Sequence, residues 1–300
     1  MFKNCISIED KDLLNQYIHH YPYCTSDINF TNLFMWRHLN NHTYEVINDL
    51  LCIAGTFYGK PFLFPPLSKD NYDKVQVADT LDILKQRFEE VGHPFVMKIL
   101  PAHMVGILHD AKPHDLKFHR DRDNDDYVYL SKDLIGLKGR KFHGKKNHWN
   151  YFMKHIPHEY IPLTPDLVDE CLHLARQLQE GDYTPVQAML LENEERAIYE
   201  ALTHMDALDI IGAAIRIDGK IEAFTFGEKL NEQTFLIHIE KANAEIRGLY
   251  QAINQQFCQQ TCKNFKYVNR EEDMGFDYLR KAKKSYRPVK MIEKYDVTMI

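Results

Sequence analysis

The chain lacks any long uncharged hydrophobic run. No stretch approaches the ~18 apolar residues that a membrane-spanning helix needs. The first residues, MFKNCISIEDKDLL, contain no basic segment followed by an apolar core, which a secretory signal would have. Hydrophobic residues make up 44% and charged residues 27% of the chain, which is ordinary for a globular protein and excludes wholesale disorder. We therefore expect a cytoplasmic protein with no transmembrane segment.

The chain also has no excess of positive charge and no metal-binding pattern. Its formal net charge is −6, so nucleic acid or an anionic membrane would have to be bound through a local basic patch. Of its six cysteines, only Cys258 and Cys262 have suggestive spacing, at positions i and i+4 of a predicted helix. Zinc would require two further ligands nearby, and none flank this pair. We expect thiols, with no metal and no organic cofactor.

Hydrophobic periodicity predicts an α+β unit in the C-terminal half. The dipeptide Asp218-Gly219 is a strong signal for a two-residue hairpin turn between the first two of three consecutive strands. The pattern predicts helices at 166–180 and 187–207, strands at 210–217, 221–230 and 234–242, a helix at 245–262, a strand at 265–269, a helix at 275–284 and a strand at 288–295.

The N-terminal half repeats this order loosely, which predicts a duplicated domain. The pattern predicts helices at 9–20 and 26–39, strands at 44–48, 50–57 and 61–65, a helix at 77–91, a strand at 95–100, a helix at 102–109 and a charged hairpin at 116–130. Since 300 residues are enough for two cores of about 150 each, we predict an N-terminal unit (1–137), a basic connector helix (138–160) and a C-terminal unit (161–300) that carries the site.

The first candidate site lies where a strand end meets a helix start. His238, Glu240 and Lys241 end the predicted strand, and a helix follows within a few residues. Free N–H groups at a helix start can accept a pyrophosphate, as coenzyme A would require. However, Gly248 is the only glycine here, and Glu245 puts a negative charge at the predicted helix start. The pattern counts against coenzyme A.

The second candidate site is the segment NREEDMGFDYLRKAKKSYRP at 269–288. Asn269 ends a predicted strand, and Arg270, Glu271 and Asp273 lie in the loop before the next helix. Two carboxylates and an arginine could bind the ammonium and carbonyl groups of an amino acid. The alternative is a capped helix, with Asp273 at the N-cap and Arg270 in a surface ion pair.

The third candidate is the basic segment KGRKFHGKKNHW at 138–149, and a second positive stretch, KAKKSYR, lies at 281–287. Cations beside aromatic rings suit a phosphodiester backbone or a stacked base. The alternative is a solvated face of a helix. The cations of this cluster are Lys138, Arg140, Lys141, Lys145 and Lys146.

Five strings carry a family resemblance: SDINFTNLFMWR (26–37), GRKFHGKKNHWNYF (139–152), IHIEKA (237–242), NREEDMG (269–275) and KKSYRPV (283–289). In this order they resemble the family named for the C-terminal domain of phosphatidylglycerol lysyltransferases, over nearly the whole chain. The resemblance implies two tandem GNAT-like units, that is, acyl-CoA N-acyltransferase-like units, which agrees with the predicted duplication.

The resemblance also implies an aminoacyltransferase with aminoacyl-tRNA as its partner. Members of the family take an aminoacyl group from a charged tRNA and attach it to phosphatidylglycerol, and the Fem-type enzymes of similar fold modify peptidoglycan precursors. The lipid-modifying enzymes typically carry a large membrane-embedded half that this sequence does not contain. The implied acceptor is therefore either a soluble small molecule or a lipid reached by peripheral contact with the membrane.

Carried over by position, the resemblance implies a site in the second unit. Glu240 or Asp273 would bind the aminoacyl ammonium, and Arg270 with Lys283 would stabilise a phosphate or a developing oxyanion. We expect Glu240, Arg270 and Asp273 to be catalytic. The residues expected to bind substrate are His238, Lys241, Asn269, Glu271, Lys283 and Tyr286. The string KKNHW would help to hold the tRNA acceptor end, and the residues expected to bind the tRNA or its phosphates are Arg140, Lys145, Lys146 and Asn147.

Two other functions stay open at this point. A coenzyme A-dependent N-acyltransferase would use the same fold, although the missing glycines count against it. A protein without catalytic activity could keep the pocket for a small acidic or zwitterionic ligand, because a fold does not determine a function.

Overall fold

The computed structural model describes residues 1–19, 25–179 and 184–300, apart from the side chains of residues 185 and 186. The predicted ends of two helices, at residues 20 and 180, lie outside these ranges. The chain divides into two compact units. The first comprises residues 1–126, 272–275 and 292–300, and the second comprises residues 127–271 and 276–291. The predicted units differ from these at the C-terminus, and the predicted connector, 138–160, lies inside the second unit.

The first unit is built on a mixed sheet. Its strands are β1 (Asn4–Cys5), β2 (Thr43–Ile47), β3 (Leu50–Phe57), β4 (Lys60–Leu63), β5 (Leu67–Ser68), β6 (Val96–Pro101) and β7 (Leu116–Arg120), together with the last strand of the chain, Lys294–Met299. The sheet order is β1-β2-β3-β4-β6, then the last strand, then β7, and β5 pairs with β3. The helices are α1 (Lys11–Ile18), α2 (Phe30–Met35), α3 (Arg37–Asn40), α4 (Lys74–Glu90) and α5 (Ala102–Ala111).

The core of the first unit follows directly from its sequence pattern. Val77, Leu81, Leu84 and Phe88 recur at helical spacing on α4, and all four are buried. The side chain of Asp73 caps this helix by accepting hydrogen bonds from the backbone N–H groups of its first turn. The predicted helix at 77–91 is thereby confirmed, and its start lies a few residues earlier than predicted.

The second unit is built on a second mixed sheet. Its strands are β8 (Asp126–Leu130), β9 (Glu159–Pro162), β10 (Ile211–Ile217), β11 (Lys220–Asn231), β12 (Thr234–Ala242), β13 (Tyr267–Asn269) and β14 (Lys290–Ile292), in the order β14-β8-β13-β12-β11-β10-β9. Its helices are α6 (Ser131–Gly136), α7 (His143–His155), α8 (Val168–Gln177), α9 (Pro185–Thr203), α10 (Met205–Leu208), α11 (Leu249–Thr261) and α12 (Asp277–Ser285). The last strand of the chain, in the first unit, is β15 (Lys294–Met299).

The predicted meander of the second unit is confirmed. β10 pairs antiparallel with β11 from Ile217 and Lys220 onward, and Asp218 and Gly219 both adopt the positive φ that the two-residue turn requires. β11 in turn pairs antiparallel with β12.

Several predicted elements are wrong in detail. The charged hairpin at 116–130 does not form, because β7 and β8 belong to different sheets. The final strand at 288–295 is two strands, β14 and β15, one in each sheet. The helix predicted from residue 245 begins at Leu249, so Glu245 does not lie at its start. The helix predicted at 26–39 begins at Phe30 and is interrupted at Trp36.

Candidate active site

The candidate site lies where β12 and β13 separate. These parallel strands pair only over residues 234–236 and 267–269. Beyond this short ladder, His238 and Glu240 continue along β12, while Arg270 and Glu271 follow the end of β13. The sheet therefore opens between the two pairs of charged residues.

An ion pair joins the two strands across this opening. An Nη2–H of Arg270 donates to Oε1 of Glu240 at 2.8 Å, and the amide of Asn254 on α11 donates to Oε2 at 2.8 Å. Burial opposes the charge on Arg270, but the neighbouring Glu240 carboxylate raises the pKa of the guanidinium, which stays positive. Nη1 of Arg270 is buried and has no hydrogen-bond partner among the described residues.

Two aromatic rings lie close to the guanidinium of Arg270. Arg270 lies 4.9 Å from the ring centre of Tyr286 and 5.7 Å from that of Tyr129. The ammonium of Lys145 lies 4.3 Å from the same Tyr286 ring. Burial, together with the positive charge of Arg270, lowers the pKa of Lys145. Two cations thus share one tyrosine, and an anionic group placed between them would stabilise both charges.

His238 owes its position to a bulge in β12. The register between β11 and β12 shifts between Phe226 and Gly227, which pair with Ile239 and Ile237 and leave His238 without an opposite residue. The backbones approach so closely here that a Cβ on Gly227 would lie 2.0 Å from the carbonyl oxygen of Leu236. Glycine is therefore required at 227.

The imidazole of His238 lies between two carboxylates and has no exposed surface. Its Nε2 is 2.9 Å from Glu228 and its Nδ1 is 3.0 Å from Glu271. Burial alone would lower the pKa of His238, but hydrogen bonds to both carboxylates raise it to about 9. With both nitrogens occupied, His238 holds Glu228 and Glu271 in place and has no nitrogen left for a substrate.

Three other predicted substrate-binding residues make structural contacts. The ammonium of Lys241 lies 2.6 Å from Glu194. Lys283 donates to the backbone carbonyl of Arg270, and the buried Asn269 accepts a hydrogen bond from the backbone N–H of Glu271 at 2.8 Å. The contacts of Lys283 and Asn269 hold the loop after β13 in the conformation that presents Arg270.

Two contacts of Asp273 lie within the first unit. Asp273 is fully buried, its Oδ2 lies 3.4 Å from Nη1 of Arg122, and its Oδ1 accepts from the N–H of Gly275. The N-cap of α12 is Phe276, so the alternative in which Asp273 caps that helix is wrong.

Of the predicted phosphate-binding residues, one lies near Arg270 and the other three are exposed. Lys145 on α7 joins Arg270 at the ring of Tyr286. Arg140 and Lys146 are exposed, and the exposed Asn147 contacts His143 one turn earlier at 3.1 Å. Lys145 is therefore the residue that links the basic segment to the strand opening.

The start of α11 is covered by α7 within the same unit. Gly248 caps α11 with a φ of +89°, and a Cβ there would lie 2.2 Å from the carbonyl oxygen of His148. The guanidinium of Arg247 lies 4.2 Å from the ring centre of Tyr151, also on α7. A helix start packed this closely offers little room for a pyrophosphate.

Sequence reasoning missed Asn254 and Tyr129. Asn254 is buried among the apolar residues Ala252, Ile253 and Phe257 of α11. A polar residue on the apolar face of a predicted helix is the signal that could have found it, because buried amides need partners. Tyr129 carries no comparable signal, since an aromatic residue in a strand usually belongs to the hydrophobic core.

None of the helices in the described ranges combines the length and the apolar composition that crossing a membrane requires. Among the same residues, no three His, Cys, Asp or Glu side chains are grouped as a metal ion would need.

Comparison with known structures gives the fold. A conserved protein of unknown function from Bacteroides thetaiotaomicron is 35% identical, with a TM-score of 0.87 over 100% of this chain and 99% of that one. L-PGS from Bacillus licheniformis is 12% identical, with a TM-score of 0.68 over 99% and 93%. A tandem GNAT protein from the clavulanic acid biosynthesis pathway is 8% identical, with a TM-score of 0.52 over 99% and 97%.

These likenesses confirm the predicted α+β fold of tandem GNAT-like units. The model of the family "Phosphatidylglycerol lysyltransferase, C-terminal" matches residues 20–298. Since that match spans nearly the whole sequence, the chain belongs to the phosphatidylglycerol lysyltransferase C-terminal family.

Proposed function

We propose that the protein is an aminoacyltransferase that takes an aminoacyl group from aminoacyl-tRNA and transfers it to phosphatidylglycerol or to a soluble acceptor. Membership of the family supports the reaction class. The observation that carries the proposal is the Glu240–Arg270 ion pair, which Asn254 completes at the opening between β12 and β13.

The pair has the two functions that aminoacyl transfer requires. Each oxygen of Glu240 accepts one hydrogen bond from a protein group and has a second lone pair, so it can accept from the ammonium of the aminoacyl group. Nη1 of Arg270 is a buried donor without an acceptor among the described residues. A buried donor that lacks an acceptor is costly in free energy unless a ligand supplies the acceptor. The carbonyl oxygen of the aminoacyl ester would be that acceptor.

The transfer itself needs positioning more than cofactor chemistry. The acceptor hydroxyl or amine attacks the ester carbonyl, and the carbonyl oxygen becomes an oxyanion that Arg270 stabilises. The new C–O or C–N bond forms, the ester bond to the terminal ribose breaks, and the proton of the acceptor passes to the released ribose hydroxyl. Lys145, which shares the Tyr286 ring with Arg270, would hold the nearest phosphate of the tRNA.

The covered start of α11 favours this reaction over transfer from acyl-coenzyme A. Pyrophosphate recognition at a helix start uses exposed N–H groups, and here Gly248 packs against the backbone of α7.

A Glu240→Gln variant tests the proposal. Purified protein would be given tRNA charged with radiolabelled amino acids, together with vesicles containing phosphatidylglycerol or a pool of soluble acceptors. Glu240→Gln removes the charge that binds the ammonium and keeps the size, so we expect at least about a hundredfold loss of transfer. Glu245→Gln makes the same change at an exposed position and should transfer as the wild type does.

Equal transfer by both variants would contradict the role of Glu240. Acylation supported by acetyl-coenzyme A and not by charged tRNA would establish the alternative acyltransferase. Binding of a small ligand with no transfer from either donor would establish a binding protein.

A further inference from the structure

Three segments of the second unit contain no carboxylate. Residues 134–158, 246–270 and 278–291 include no Asp or Glu, although the chain as a whole carries a net charge of −6. All three segments contain several lysines or arginines. A distribution this uneven concentrates positive charge locally and indicates a polyanionic partner.

The second sheet brings parts of the last two segments to either side of β8. β8 lies between β14 and β13, and Leu130 at the end of β8 pairs with Tyr267 at the start of β13. The backbone N–H of Ser131, the first residue of α6, donates to the carbonyl of Lys266 at 3.1 Å. On the other side of β8, the N–H of Val289 donates to the carbonyl of Val128 at 2.8 Å.

One tyrosine is the centre of this cluster. The ammonium of Lys290 lies 4.4 Å from the ring centre of Tyr267, and that of Lys266 lies 5.0 Å from it. Each contact is favourable, but the two cations repel each other. A phosphate that contacted both lysines would remove this repulsion.

The exposed lysines of this region have no carboxylate partners. We call Lys132, Lys263, Lys266 and Lys290, with Tyr267, the basic edge. All four lysines are exposed, and none forms an ion pair with the carboxylates of the described ranges. Lys141 differs, because it pairs with Asp133 at 2.7 Å. The charge of the basic edge is therefore available to an external anion.

We propose that the basic edge binds the sugar–phosphate backbone of the tRNA, at a surface separate from the Glu240–Arg270 site. This inference rests on the proposed function. RNA is favoured over an anionic membrane because membrane-binding surfaces combine cations with apolar side chains that insert. Among the described residues that adjoin the edge, only one large hydrophobic side chain is at least half exposed. This residue is Val289, which is 50% exposed.

The test compares two double variants with equal changes of charge. Lys266→Glu with Lys290→Glu reverses two charges of the basic edge. Lys74→Glu with Lys220→Glu reverses two exposed lysines elsewhere and is the control. Binding of fluorescently labelled uncharged tRNA would be followed by anisotropy over a series of salt concentrations, with thermal unfolding measured to verify that each variant is folded.

We expect the edge variant to raise the Kd by about tenfold or more at low salt. The slope of log Kd against log salt should fall by about 2, because each of the two lysines would no longer neutralise a phosphate. The control should bind as the wild type does. A second edge variant, Lys132→Glu with Lys263→Glu, should also raise the Kd for tRNA and lower the salt dependence. This variant keeps the test valid if the first edge variant misfolds.

The outcomes separate this inference from the proposed function. If the edge variant binds tRNA with the same affinity as the control, the inference is overturned, even if the wild type transfers an aminoacyl group. If it loses binding to phosphatidylglycerol vesicles while its tRNA affinity is unchanged, the edge binds membranes and the inference is likewise overturned. If it loses tRNA affinity while the wild type transfers no aminoacyl group, the edge is supported and the proposed function fails.

Discussion

At the scale of single residues, carboxylates surround two fully buried cations of this protein, His238 and Lys294. His238 has a carboxylate on each ring nitrogen. Lys294, also fully buried, pairs with Asp126 at 2.6 Å and with Asp27. Burial alone would lower the pKa of Lys294, but Asp126 and Asp27 raise it, so the ammonium stays charged. Such residues hold structure together and are recognised only when their partners are known.

His238 predicts a specific pH dependence of stability. Its pKa is raised from 6.5 to about 9 on folding, so the protonated form stabilises the folded state fully below pH 6.5. This contribution is lost as the pH rises through about 9, and the free energy of unfolding should fall by roughly 3 kcal/mol. Urea unfolding at pH 6.5 and at pH 9.5 measures the change.

The comparison variant is His238→Gln, which cannot take up a proton. Its free energy of unfolding should be lower than that of the wild type at pH 6.5, and the difference should shrink at pH 9.5. A difference that is independent of pH would show that His238 is not protonated in the folded protein.

At the scale of elements, the contact between α7 and α11 determines the shape of the site. Gly248 lets the chain turn into α11 with a φ of +89° against the backbone of α7. α7 carries Lys145 and α11 carries Asn254, so the same contact positions both helices that supply the site.

Gly248→Ala should disturb this contact. Its Cβ would lie 2.2 Å from the carbonyl oxygen of His148, in a backbone conformation that alanine rarely adopts. We expect a loss of about 2–4 kcal/mol in the free energy of unfolding, measured by urea denaturation. Gly144→Ala on α7, where a Cβ meets nothing within 4 Å, should be neutral or slightly stabilising. Equal stability of the two variants would contradict this packing.

Secondary-structure elements were predicted correctly where the signal lay in neighbouring residues. The Asp218-Gly219 turn and the buried stripe of α4 needed only neighbouring residues, and both agree with the structure. The charged segment at 116–130 failed as a hairpin because its two strands have partners far along the chain: β7 pairs with β15, and β8 pairs with β13. Pairing between distant segments leaves no local pattern to read.

At the scale of the whole molecule, the end of the chain completes the first unit. β15 lies between β6 and β7 and hydrogen-bonds to both. Lys294 at its start forms ion pairs with both Asp27 and Asp126. The string SDINFTNLFMWR therefore has a structural role, because Ser26 and Asp27 both contact this lysine.

Removal of residues 292–300 should unfold the first unit. Two strands would lose their shared partner, and buried carboxylates would lose their cation, which typically costs several kcal/mol. Hydrogen exchange should show loss of protection in β6 and β7. Removal of Ile300 alone, which is 69% exposed, should leave protection unchanged. Retained protection in the longer truncation would show that the first unit folds without β15.

The sequence by itself determined the fold class, the family and most elements, because these follow from hydrophobic period, turn residues and motif order. It also pointed to Glu240, Arg270 and Lys145, which the structure brings to one opening in the sheet. Only the tertiary structure decided which unit holds Asp273, why His238 is occupied on both nitrogens, and where the chain's last strand lies. The physical reason is that burial and ion pairing depend on which distant residues meet, and one-dimensional patterns record local preference alone.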